Sequence, residues 1–151
     1  MEPDKPFSVL HHLSLVVRDI DQTVRFLESI GIGPFFEYPP MTEYTKLNVL
    51  DTDGFFNTVI KCVQLGPVQL QLVQPGEGRS IYKDFLEKNG EGVFHLGFVV
   101  PDIDTAEAKG KYMGLEVISS GRRPNGSGFA YFDTAEKCGV TLLVRQSPPA
   151  K

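Results

Sequence analysis

The 151-residue sequence lacks an excess of basic side chains: 15 Lys and Arg residues are outnumbered by 19 Asp and Glu residues, and the formal net charge is −4. Nucleic-acid-binding domains normally carry a basic patch that meets the phosphate backbone. The sequence therefore predicts no nucleic-acid partner. The same acidic balance disfavours attraction to anionic membrane surfaces.

The sequence also lacks a long apolar run and contains only two cysteines. No stretch approaches the roughly 20 apolar residues that a membrane-spanning helix needs. The N-terminus has neither a signal-peptide core nor an Arg-rich transit character. Cys62 and Cys138 form no CxxC pair and no zinc-binding spacing. Two thiols without a secretion signal are typical of a reducing compartment, so we expect a cytoplasmic protein with no membrane partner.

The apolar content that is present suffices for one core. Hydrophobic residues make up 41% of the chain and charged residues 23%, which are ordinary values for a soluble globular protein. A chain of this length can bury a substantial core without disulfides or metals. We therefore expect one domain over residues 1–151.

An internal repeat organises the chain. The segment HLSLVVRDIDQTVRFLESIGI begins at His12, and HLGFVVPDIDTAEAKGKYMGL begins at His95. They align without gaps, and each matched pair is separated by 83 residues. Each copy is typical of a strand followed by a helix, and a glycine (Gly31 or Gly114) stands where a left-handed residue would end that helix.

Two aspartates precede or open each predicted helix. Asp19 or Asp21 would cap the first helix, and the equivalent Asp102 or Asp104 would cap the second, because an aspartate oxygen can accept from the free N–H groups of the first turn.

Strand-like runs follow each helix and complete a β-α-β-β-β order twice. The predicted strands after the helices cover residues 33–38, 57–65, 68–74, 116–119, 128–133 and 140–146. Residues 39–56 are predicted to form a surface loop, and a short helix is predicted over 81–88. The sequence thus predicts an α+β fold in which module 8–75 and module 93–147, joined by linker 76–92, form a cleft.

Strand alternation predicts which side chains share a surface. In VQLQLVQ the apolar positions would cover the helix, which places Gln69 and Gln71 on the opposite face. His12 and His95, which begin the repeated strands, take the same side. Two imidazoles and an amide oxygen are capable ligands for a divalent ion. The alternative is that each histidine is only a hydrogen-bonded strand end.

These segments resemble the vicinal-oxygen-chelate superfamily, also called the glyoxalase/bleomycin-resistance/dioxygenase superfamily. The likeness rests on HLSLVVRDID, HLGFVVPDID, VQLQLVQP and GVTLLV and covers nearly the whole chain. The stretch SIYKDFLEKNGEGVFHLGF is similar to that of methylmalonyl-CoA epimerases. The resemblance implies paired modules around a cleft, a homodimer, and a divalent metal ion. Carried over position by position, it implies His12, Gln71 and His95 as metal ligands.

The chain departs from the family at the fourth ligand position. There the family has a Glu in a pattern like GVLIEL, whereas this chain reads GVTLLV and has Leu143. Three neutral ligands would hold zinc, manganese, cobalt, nickel or iron more weakly than a set completed by Glu. Methylmalonyl-CoA epimerisation itself is not expected, because in those enzymes this Glu is also one member of the acid–base pair. The other carboxylate of that pair lies, in the epimerases, in the strand that corresponds to TVIKCVQLG, where this chain has Lys61 and no carboxylate.

Two functions follow from these features. The first is an epimerase-like enzyme, a lyase or isomerase that acts on a small acid or an acyl-CoA thioester, with its catalytic residues unassigned. The second is a metal-free protein that binds or sequesters a small molecule in the same cleft. In either function Gln69, Leu143, Lys61 and Arg145 are the candidate substrate-binding residues. The alternative for Lys61 and Arg145 is a solvated surface position.

Overall fold

The computed structural model describes residues 5–149 and is a mixed α+β structure, as the sequence predicts. The described residues form these elements in chain order: β1 (Leu10–Val16), α1 (Ile20–Ser29), β2 (Phe36–Glu37), a 3₁₀ turn (Met41–Glu43), β3 (Lys46–Asn48), α2 (Thr52–Phe56), β4 (Val59–Leu65), β5 (Val68–Gln74), α3 (Ile81–Asn89), β6 (Gly92–Val99), α4 (Ile103–Tyr112), β7 (Val117–Arg122), β8 (Gly128–Phe132), α5 (Ala135–Cys138) and β9 (Thr141–Gln146).

The described chain divides into two compact units. The N-terminal unit comprises residues 12–41 and 50–94, and its strands lie in the order β2-β4-β5-β1. The C-terminal unit comprises residues 5–11, 42–49 and 95–149, with the order β6-β9-β8-β7-β3. The bounds therefore differ from those of the two predicted modules, since a piece of the predicted first-half loop belongs to the C-terminal unit.

In the N-terminal unit, α1 packs on one face of the sheet. β1 and β5 are parallel, while β4 is antiparallel to β5. Val17, Ile20 and Leu72 form the buried centre beneath the helix. Of the two predicted caps Asp19 is the one used, since its side chain accepts from the backbone N–H of Gln22.

The C-terminal unit repeats this arrangement with α4. β6 and β9 are parallel, and β8 is antiparallel to β9. Ile103, Phe132 and Val144 lie in the core under the helix. Asp102 caps α4 through the backbone N–H of Thr105. Gly114 follows this helix with φ of 88°, as the repeat predicts.

The prediction of a surface loop over residues 39–56 is wrong. This segment contains a 3₁₀ turn, strand β3 and helix α2, and β3 pairs with β7 in the C-terminal unit. Tyr44 is only 3% exposed and packs edge-on against Phe129, with ring centroids 5.0 Å apart. The predicted strand 33–38 is correspondingly short, because only Phe36–Glu37 pairs with β4.

The repeat also extends to a hydrogen bond at the start of each helix. Gln74 accepts from the backbone N–H of Ile20 through Oε1 at 2.8 Å, and Gln146 accepts from that of Ile103 at 2.9 Å. The first N–H groups of a helix have no partner within the helix. The last strand of each half therefore supplies the acceptor that the helix itself lacks.

We expect Gln74→Ala and Gln146→Ala each to lower the free energy of unfolding by about 1 kcal/mol, because each leaves a partly buried N–H without its acceptor. Urea unfolding measures this loss. Gln22→Ala is the matched control, since Gln22 is exposed on α1 and should change stability by less than about 0.5 kcal/mol. Equal effects of all three substitutions would contradict the role of the two bonds.

Candidate functional site

The N-terminal unit carries a polar face opposite α1. On adjacent strands His12 is the partner of Gln69, and Ser14 is the partner of Gln71. His12 is 2% and Gln71 4% exposed. The amide nitrogen of Gln71 donates to Oε1 of Gln69 at 2.8 Å, so the carbonyl oxygen is the atom of Gln71 that can bind an ion or a donor. The structure thus brings the predicted residues of this half onto one face.

In the C-terminal unit, His95 lies on the face opposite α4. Its neighbour across the parallel pair is Thr141, and Leu143 follows on the same face. The His95 ring is 1% exposed and contacts Tyr131 edge-on at 4.9 Å. Burial lowers the pKa of His95 to about 3. The side chain is therefore a neutral imidazole at physiological pH, the form that ligates metals.

Arg145, a predicted substrate-binding residue, contacts a histidine that the sequence interpretation did not select. Its Nη1 lies 2.9 Å from Nε2 of His11 and 3.3 Å from Nδ1. Burial and then the charge of Arg145 lower the pKa of His11 to about 4. The repeat drew attention to His12 alone, although the His11-His12 doublet was visible in the sequence.

Lys61 lies on the other face of the N-terminal sheet. Its strand partner is Leu72, which packs under α1, and its Nζ forms an ion pair with Asp21 at 2.9 Å. This pair lowers the pKa of the Asp21 carboxyl. The grouping of Lys61 with Gln69 and Gln71 is thereby corrected, because the sheet separates them.

Ser14 is a further polar residue on the face of His12, where strand alternation places it, but the sequence did not single it out as a site residue. Its hydroxyl is fully buried and has no hydrogen-bond partner within residues 5–149. The equivalent residue in the second copy of the repeat is Gly97, so the fold does not require a hydroxyl there. That mismatch between HLS and HLG was the available signal.

We expect Ser14→Ala to raise the free energy of unfolding by about 1 kcal/mol, because it removes a buried hydroxyl without a protein partner. Ser80→Ala is the matched control. Ser80 is also buried, but it caps α3 by accepting from the backbone N–H of Lys83, and its loss should cost about 1 kcal/mol. Urea unfolding should give opposite signs; two losses of equal size would refute this account of Ser14.

The donor chemistry of His12, Gln71 and His95 fits a divalent ion, since two imidazole nitrogens and one amide oxygen are suitable ligands. No group of three or more His, Cys, Asp or Glu side chains within residues 5–149 is placed to hold a metal ion. A site made from the predicted ligands would therefore depend on the amide of Gln71 and would have no carboxylate.

The fold agrees with a comparison to known proteins. The sequence profile of the Glyoxalase/Bleomycin resistance protein/Dioxygenase superfamily matches residues 11–132, and the chain belongs to this superfamily. No helix in the described part of the chain is both long and apolar enough to cross a lipid bilayer.

Solved structures of methylmalonyl-CoA epimerases share the glyoxalase-like fold. The enzyme from Mycobacterium tuberculosis is 19% identical, with a TM-score of 0.67 over 93% of this chain and 89% of that chain. A variant of the enzyme from Streptomyces coelicolor, in complex with 2-nitronate-propionyl-CoA, is 22% identical, with a TM-score of 0.73 over 95% of this chain and 97% of that chain.

One similar protein of higher identity is the uncharacterized protein YqjC of Bacillus subtilis (strain 168). It is 32% identical over 90 residues, which cover 60% of this chain and 56% of that protein. The chain thus matches little more than half the length of this relative.

Proposed function

We propose that the protein is an epimerase-like enzyme of this superfamily, a lyase or isomerase that acts on a small acid or an acyl-CoA thioester. The observation that carries the proposal is that both repeated histidines are buried, and that each lies on the sheet face opposite the helix of its own half. His12 is 2% and His95 1% exposed. Buried polar groups in equivalent positions of two halves are expected where a fold keeps a site, because burying them is costly.

The proposed metal ligands are His12, Gln71 and His95, which match the ligand positions of the family. When bound, a divalent ion would supply Lewis-acid polarisation of a ligand oxygen. The two histidines would bind as neutral imidazoles. The hydrogen bond from Gln71 to Gln69 would orient the ligating amide oxygen.

Leu143 is the residue that argues against one particular reaction, the epimerisation of methylmalonyl-CoA. An aliphatic side chain cannot move a proton, so the acid–base pair of methylmalonyl-CoA epimerases is incomplete. We therefore expect no epimerisation of methylmalonyl-CoA, measured as wash-in of deuterium at the carbon between the two carbonyl groups. Wash-in at a rate that depends on His12 and His95 would contradict this expectation.

Leu143 also favours a second candidate function, a metal-free binding protein. The side chain is 3% exposed and lies beside Tyr131 across the β8–β9 pair. An apolar wall in the place of a metal ligand suits a protein that holds a small molecule without reacting with it.

Metal analysis of protein purified without chelating resin distinguishes the two functions. The metal-assisted enzyme predicts stoichiometric metal in the wild type and its loss in His12→Ala and in His95→Ala. His11→Ala is the matched control, since it removes a neighbouring imidazole that the family pattern does not use. No binding by the wild type at saturating zinc, manganese, cobalt, nickel and iron would exclude the metal-assisted function.

The acyl-CoA part of the proposal is supported by the complex of the Streptomyces coelicolor relative with 2-nitronate-propionyl-CoA. Titration with propionyl-CoA, followed by calorimetry, tests it directly, with free coenzyme A as the comparison. We also propose a homodimer, as in the family, and sedimentation equilibrium would detect it.

A further inference from the structure

Arg145 carries a charge that the described protein does not balance. The other two arginines on the strands and hairpin of the C-terminal sheet are ion-paired: Arg122 with Asp104 at 2.9 Å, and Arg123 with Glu43 at 3.3 Å. Arg145 is partly buried, yet no carboxylate in residues 5–149 lies within ion-pair distance of it. A partly buried cation without a counter-charge is costly unless a ligand supplies one.

The contact with His11 fixes where the guanidinium points. Arginine has only donors, so in this contact Nη1–H donates and a ring nitrogen of His11 accepts. The contact uses one nitrogen of the guanidinium. Nε and Nη2 keep the planar pair of donors that matches a carboxylate.

The surroundings of Arg145 favour a single negative charge. Its strand partners are Val99 and Phe129, which are both apolar, and no second cation is among them. One guanidinium balances one carboxylate, whereas a phosphate dianion normally meets more donors and charges. Leu143, two residues earlier on the same strand face, makes the part of this face next to Arg145 apolar, which suits the carbon chain of an organic acid.

We propose that Arg145, positioned by His11, binds the carboxylate of a small organic acid at the C-terminal face. The proposal rests on the proposed function in assigning this face to a ligand, and it deepens that function by naming a ligand with a free carboxylate. His11 is a positioning residue, because it acts through the guanidinium.

Calorimetric titration of metal-depleted protein with butyrate tests the proposal, with butyramide as the neutral isostere. We expect saturable binding of butyrate and none of butyramide. Arg145→Gln should weaken butyrate binding at least about 10-fold, because it removes the charge-assisted pair. Arg145→Lys keeps the charge but loses the paired donors of the guanidinium, so its affinity for butyrate should lie between that of the wild type and that of Arg145→Gln. Urea midpoints confirm that each variant is folded.

His11 is tested by a pair of substitutions. His11→Ala should weaken butyrate binding about 3- to 10-fold, and His11→Gln should restore part of the loss, since an amide oxygen can accept from Nη1. Arg18→Gln is the matched control, because Arg18 is exposed and paired with Glu91; it should leave binding unchanged.

Equal binding of butyrate and butyramide would overturn the proposal, as would unchanged affinity in Arg145→Gln. Tighter binding of inorganic phosphate than of butyrate would overturn the carboxylate assignment. The titration uses neither metal nor turnover, so it can succeed even if the enzymatic function fails. The two proposals can therefore fail separately. If metal binding depends on His12 but butyrate affinity does not depend on Arg145, the enzyme proposal stands and the carboxylate site is refuted.

Discussion

Metal-free protein should lose about 2 kcal/mol of unfolding free energy between pH 7 and pH 5 through His95 alone. Burial lowers the pKa of this imidazole from 6.5 to about 3 in the folded state. Between those two values the unfolded chain binds a proton that the folded chain does not, so stability falls as the pH falls. The full contribution is present above pH 6.5, and the loss is complete only near pH 3.

Urea unfolding at pH 7, 6 and 5 measures this slope. In His95→Asn, the loss of unfolding free energy between pH 7 and pH 5 should be smaller by about the same 2 kcal/mol, even if the variant is less stable at every pH. Every other titratable group is present in both proteins, so the difference between the two slopes isolates His95. Parallel slopes would show that the imidazole is accessible to protons in the folded state.

Leu143→Glu should have the second large effect, a loss of stability without metal that added metal offsets. Leu143 is 3% exposed, and a carboxyl group buried there without a partner should cost about 3 kcal/mol of stability. If His12, Gln71 and His95 supply three ligands, the new carboxylate completes the set. Affinity for zinc or manganese should then rise by about 10-fold or more, and added metal should recover the lost stability.

Two controls separate ligation from burial. Leu143→Gln has the same shape as the Glu variant but no charge, and should raise metal affinity less. Leu142→Glu places the carboxyl on the adjacent residue, whose side chain takes the opposite side of the strand, and metal should not rescue it. An unchanged metal affinity in Leu143→Glu would count against the proposed ligand set.

The repeated part of the fold could be predicted because its signals are local. Strand alternation, a capping aspartate and a terminating glycine occur twice at one offset, so each copy supports the other. α1 and α4 accordingly begin after Asp19 and Asp102, and β5 has the predicted bounds of Val68–Gln74.

The segment over residues 39–56 could not be predicted in this way. Strand β3 has three residues, and its partner β7 lies much later in the chain, at Val117–Arg122. A strand this short owes its formation to that distant pairing rather than to its own propensity. Its anchor, Tyr44, belongs to no apolar periodicity that a reader of the sequence would recognise.

The sheet face of a candidate site residue could be predicted only where polar and apolar residues alternate regularly along the strand. VQLQLVQ alternates, so Gln69 and Gln71 were placed on one face correctly. The strand around Lys61 reads VIKCV, where apolar residues on both sides give no clear parity. Ser14 and His11 were not selected as site residues because the repeat directs attention to positions that match. Ser14 stands where the two copies differ, and His11 lies just before the first copy.

The glutamine at the end of each half has a consequence for synthesis on the ribosome. Ile20 and Gln74 are 54 positions apart, and Ile103 and Gln146 are 43 apart. Neither helix can acquire its final N-terminal acceptor until the closing strand of its own half has been translated. The nascent chain should therefore fold in two steps, and each step is complete only when the glutamine that ends that half, Gln74 or Gln146, has been translated.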